Sequence, residues 1–172
     1  MPVQFQNFTV QVTEAMEEAC IAWLYETADS IASEAAQKCT MTDQSDGIAL
    51  DASYDRRVDE GKLEALVGTP MEAGYWEEFG TGEHADTAKN GGKQGRHGWW
   101  VFVKDGPAGD GGESYETEEE AKAVAESMRA AGLDAYHTNG RPANYTLEKA
   151  FKRVEDPSRQ RLEQILKEGL NE

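Results

Sequence analysis

His84 and His97 flank a glycine-rich stretch, and imidazole is the commonest metal ligand and titrates near neutral pH, so metal binding or general-base catalysis is the first chemistry to consider. Their spacing of 13 residues matches no metal or catalytic motif, and neither a helical histidine pair nor a Cys-His grouping accompanies them. They read as exposed loop histidines, and His137, alternating with Tyr136, as a strand surface residue. Cys20 falls on the apolar stripe of a helix, where a free cysteine behaves as a small hydrophobe, and Cys39 has no evident activating partner. Gly80, Thr81 and Gly82, with Gly91, Gly92 and Gly95, suggest a phosphate cradle. No strand leads into a Gly-x-Gly-x-x-Gly helix start, however, and no Gly-Lys-Ser or Gly-Lys-Thr follows. Glu77 and Glu78, or Glu118 to Glu120, are candidate acid and base groups for hydrolysis. No second carboxylate is placed across a cleft from either group, so both read as solvated acidic faces, and Glu118 to Glu120 suit a helix N-terminus. No catalytic residue, metal or cofactor is expected.

Two other groups suggest contacts instead of catalysis. Lys89, Lys93 and Arg96 form a small basic patch, read either as solvated loop charge or as an arm that touches an acidic partner. Trp76, Phe79, Trp99 and Trp100 read as core aromatics, with Trp76 and Phe79 the candidate interface anchors.

The elements around these residues follow from periodicity. Met16, Cys20, Trp23, Thr27, Ile31 and Ala35 recur at helical spacing, predicting a helix over about Glu14 to Lys38 with Thr13 as N-cap and an acidic opposite face of Glu17, Glu18, Glu26, Asp29 and Glu34. Ile48, Leu50, Ala52 and Tyr54 alternate with polar or small residues, predicting a strand. Asp59 to Lys62 reads as a turn and Leu63 to Gly68 as the returning strand of an antiparallel hairpin. Met71 to Phe79 reads as a helical turn ending at Gly80, residues 81–98 as a loop, and Trp99 to Lys104 as a bulky apolar strand, interior or packed under a helix. Thr117 with Glu120 is a capping-box pattern at the start of a helix that Gly132 stops, between short strands at Ser114 to Glu116 and Leu133 to Thr138. After a turn at Asn139 to Pro142, a C-terminal helical segment over 144–172 is broken or restarted at Pro157. The fold class is α+β: a long N-terminal helix on a small, mostly antiparallel sheet, with a strand-helix-strand unit and C-terminal helices, in a single domain 1–172.

The chain has 172 residues, 38% of them apolar, with 17 Lys and Arg against 33 Asp and Glu. A core can form without metal or disulfides, and two cysteines are too few for a disulfide scaffold and read as reduced. No apolar run is long enough for a membrane span, and Met1 to Val12 lacks the features of a signal peptide, so the chain is expected to be soluble and unexported. The net charge of -16 disfavours binding to polyanions such as DNA or an anionic membrane. Residues 81–104 run against it with +2.

The run AGYWEEFGTG, Ala73 to Gly82, resembles the aromatic-acidic-Phe-Gly-Thr signature of the tail-component family of siphophages of the lambda and HK type, the tail-completion or head-tail joining proteins. LEALVGTP from Leu63, GWWVFV from Gly98 and GRPANYTLEKAF from Gly140 follow in the same order as in that family, so the resemblance covers nearly the whole chain. It implies a structural virion protein with no catalytic residue. Such a subunit would form a homo-oligomeric, six-fold ring in the neck between a head connector or adaptor protein and a tail tube or terminator protein. DNA would pass through without sequence-specific binding, and the protein would be made in the host cytoplasm and located in the virion. Residues 105–138 exceed the compact family pattern and read as an embellishment. In such a ring, carboxylates facing the channel would let DNA pass without sticking, with the basic loop pointing away.

Two other classes compete. An acidic DNA-mimic inhibitor would present carboxylates to a nucleic-acid-binding protein, and a small hydrolase would use His84 or His97 with a carboxylate. The first rests on charge alone and the second on residue types alone.

Overall fold

The computed structural model describes residues 9–41, 44–45, 47–104 and 112–169. In chain order they form α1 (Thr9–Lys38), β1 (Gln44–Ser45), β2 (Ile48–Ala49), a 3-10 turn (Asp51–Ser53), β3 (Asp55–Asp59), β4 (Glu64–Gly68), α2 (Glu72–Phe79), β5 (Thr81–Gly82), β6 (Trp99–Val103), β7 (Ser114–Tyr115), α3 (Glu118–Ala130), β8 (Ala135–Thr138), β9 (Gly140–Arg141) and α4 (Thr146–Gly169). Every strand pair is antiparallel, and the long helices sit near the two ends of the chain, so the protein is α+β as its sequence predicts. Its contacts gather into two compact units. One holds the residues up to Gly74 and those from Thr146 onward; the other is Tyr75–Tyr145.

In the first unit α1 packs along α4 and across the β3–β4 hairpin. Ala28, Ala35 and Ala150 are buried, and their small side chains let helix backbones approach closely. Ile31, Leu50 and Tyr54 fill the core beside them, with Val67, Met71, Leu147 and Val154 packed around. The hairpin register pairs Arg56 with Val67 and Val58 with Ala65 on its half-buried face. From that face the Arg56 guanidinium lies over the Tyr25 ring and pairs with Asp29 of α1 at 2.6 Å.

Three expectations for this unit are corrected. The first helix begins at Thr9, so Thr13 lies within it and is not its N-cap, its side chain being outside the described residues. Of the alternating run from Ile48 only β2, Ile48–Ala49, is strand; after it the chain makes a 3-10 turn. There the Leu50 carbonyl accepts both the Ser53 backbone N–H at 3.0 Å and the Ser53 hydroxyl at 2.7 Å, while the Asp51 carboxylate takes the Ala52 N–H. Short polar side chains offered the backbone a local alternative to a ladder, and the hairpin starts only at Asp55. Finally, α4 runs through Pro157. Proline removes one helical N–H, but the next residue is anchored to α1: Trp23 Nε1 donates to the Ser158 carbonyl at 2.8 Å, and the Thr27 and Ser158 hydroxyls are hydrogen-bonded.

In the second unit β6 is the centre of a three-stranded sheet ordered β7-β6-β8. Val101 and Ala135 of that sheet are buried with Ala121 and Ala125 of α3, and Trp99, Val103, Tyr115, Val124 and Met128 close around them. The segment read as an embellishment thus supplies both neighbours of β6 and the helix on it; its residues 105–111 lie outside the described ones. The strand Trp99–Val103 is packed under α3, one of the two placements expected of it, and Phe102 on its other face is exposed. The α3 N-terminus is the predicted capping box: the Glu120 N–H donates to Thr117 Oγ1 and the Thr117 N–H to the Glu120 carboxylate. Gly132, at φ 90°, ends the helix in the left-handed conformation glycine favours. Replacing Thr117 with Ala should lower stability by about 1 kcal/mol, measured by thermal or urea denaturation, with no change of fold.

Candidate interaction site

All five predicted contact residues, Trp76, Phe79, Lys89, Lys93 and Arg96, lie in the second unit, around the end of α2. An α-helix leaves its last four carbonyls without partners of its own beyond its end. In α2 each is met: the Gly80 N–H donates to the Trp76 carbonyl at 2.8 Å, Asn144 to Glu77 at 3.0 Å, Tyr145 to Glu78 at 3.1 Å and Asp86 to Phe79 at 2.8 Å. Two of these donors come from a segment more than 60 residues downstream. The chain then leaves α2 through Gly80 and pairs β5 with β9, Thr81 opposite Arg141 and Gly82 opposite Gly140.

Glycine is required at this exit. Gly80 has φ 75°, and a Cβ there would stand 2.6 Å from the Arg141 carbonyl oxygen; Gly82 has φ 61°, and its Cβ would overlap the Asn139 carbonyl. Both positions need a left-handed backbone and the close approach of a second chain segment.

Glu77 is fully buried and Glu78 nearly so, which corrects their reading as a solvated acidic face. The Glu77 carboxylate accepts from Asn144 Nδ2 at 2.6 Å and pairs with Arg141 at 3.3 Å. A buried carboxylate is tolerated when it is paired and hydrogen-bonded. The pairing was invisible in sequence because its partners lie in a distant turn; the run Gly140-Arg141-Pro142 was legible as a turn but not as the counterion of Glu77.

The basic loop folds back over aromatic rings of its own unit. Lys89 Nζ stands 4.3 Å from the Tyr145 ring centroid, Lys93 Nζ 5.3 Å from that of Tyr75, and the Arg96 guanidinium carbon 5.7 Å from that of Trp100. Tyr75 packs edge-on against Trp76 at 5.0 Å and tilted against Phe79 at 5.1 Å, and its hydroxyl donates to the Asn90 carbonyl. Trp76 covers the Gly95 backbone, where a Cβ would sit 3.3 Å from the indole. Trp76 and Phe79 are therefore half-buried members of a cluster that holds the loop. Each cation gains a ring face, an interaction of about 0.5–1 kcal/mol at exposed sites.

Asp86 ties the loop to the same turn. Its carboxylate accepts the Tyr145 hydroxyl at 2.6 Å, and Tyr145 itself holds φ 52°, a conformation rare outside glycine. Chiefly through that hydroxyl, and secondarily through backbone N–H groups and the charge of Lys89, the carboxyl is held below the ordinary aspartate value.

The histidines do not converge on a site. His84 Nε2 lies 3.0 Å from Asn139 Oδ1, His97 is exposed, and His137 sits beside Glu118 and against Trp99. Among the described residues no three His, Cys, Asp or Glu side chains form a metal-binding group, and no helix is long and apolar enough to cross a membrane. In the first unit an open cleft of about 560 Å³ runs between α1 and α4. Its lining includes Trp23 and Thr27 of α1, each of which bonds to Ser158 of α4. The chain matches no family model, no curated protein and no solved structure.

The geometry predicts two outcomes. Arg141→Ala, which leaves Glu77 buried without its counterion, should destabilise the protein by about 3 kcal/mol in urea denaturation, and much less in a Glu77→Gln background where the charge is gone. Because the Asp86 pKa is depressed on folding, its contribution is complete above the unfolded aspartate value of about 3.9 and is lost as pH falls through the folded value. Carbon-detected NMR titration should find Asp86 below its ordinary value, and Tyr145→Phe should return it upward.

Proposed function

We propose that this protein is a structural subunit of a tailed phage virion, a neck or tail-completion protein that joins the head connector to the tail tube. The observation that carries the reading is the meeting of two segments that resemble that family. Residues 73–82 and 140–145, far apart in sequence, are knit by the β5–β9 pairing, by Glu77 with Arg141 and Asn144, and by the two backbone bonds that complete α2. Their co-occurrence has a structural reason: each is the other's hydrogen-bonding complement.

The charge distribution supports the same role. Glu17, Glu18 and Glu26 of α1 are exposed. In a ring around DNA, such carboxylates on the channel wall would gain no counterion-release affinity for phosphate. The ring is a homo-oligomer, six-fold by family resemblance, with the connector or adaptor on one side and the tube or terminator on the other.

Disruption of the gene in the phage that carries it should leave full heads and separate tails in electron micrographs, and wild-type particles should carry the chain at the neck by labelling. Normally joined, infectious particles without the protein would refute the role. A chain that stays monomeric and inhibits a basic DNA-binding enzyme would favour the DNA-mimic class instead.

A further inference from the structure

We draw no further inference here: the strongest candidate, the exposed aromatic pair of Phe102 and Tyr136 on the face of the β7-β6-β8 sheet turned away from α3, is an apolar surface patch, and nothing in the structure shows what covers it.

Discussion

A carboxylate removed from water at the end of a short helix is the constraint around which the second unit is organised. Glu77 stands where the negative end of the α2 dipole makes a further negative charge unfavourable, and it has no solvent to compensate. Compensation comes from Arg141 and from the Asn144 side-chain amide, and the same segment satisfies two of the carbonyls that α2 leaves open. The side-chain and backbone requirements of one helix terminus are thus met together by a single distant turn. Removal of either segment would leave the other with buried polar groups unpaired.

That arrangement sets the geometry of the loop that follows. Gly80 and Gly82 must be glycine because the partner segment approaches at their Cβ positions, and once the chain has turned there the loop returns across the aromatic cluster of Tyr75, Trp76 and Phe79. Lys89, Lys93 and Arg96 end over rings, so the local excess of positive charge is held at defined positions on the surface. A flexible arm that orders only on meeting a partner would pay the ordering cost at that moment. Here the loop's own turns and ring contacts meet part of that cost within the chain itself.

The acidic character of the chain and its exposed apolar surfaces fit a protein that works by contact. Exposed carboxylates on α1 disfavour contact with a polyanion, and Leu66 in one unit and the Phe102–Tyr136 pair in the other are exposed apolar groups.

The local elements were largely written in the sequence. The heptad-like recurrence of α1, the Thr117–Glu120 capping box, the Gly132 stop, the short helix before Gly80 and the strand GWWVFV all depend on residues within a few positions of each other, so local periodicity and capping chemistry determine them. Three local readings failed for physical reasons that are themselves tertiary or competitive. Ser53 and Asp51 diverted an alternating run into a 3-10 turn; the anchoring of Ser158 to Trp23 and Thr27 carried a helix through Pro157; and α1 extends upstream of Thr13. The candidate site was legible only as a set of residue types. That Glu77 is buried, that its counterion is Arg141, 64 residues away, that the loop cations lie on Tyr145, Tyr75 and Trp100, and that Phe102 on one face of the Trp99–Val103 strand is exposed are products of contacts made in the folded chain. Sequence periodicity encodes which face of an element is apolar, but the partner that covers that face, or leaves it bare, is chosen by the closing of loops whose entropic cost depends only weakly on their length. The helices and strands are therefore properties of the sequence read locally, and the site is a property of the fold.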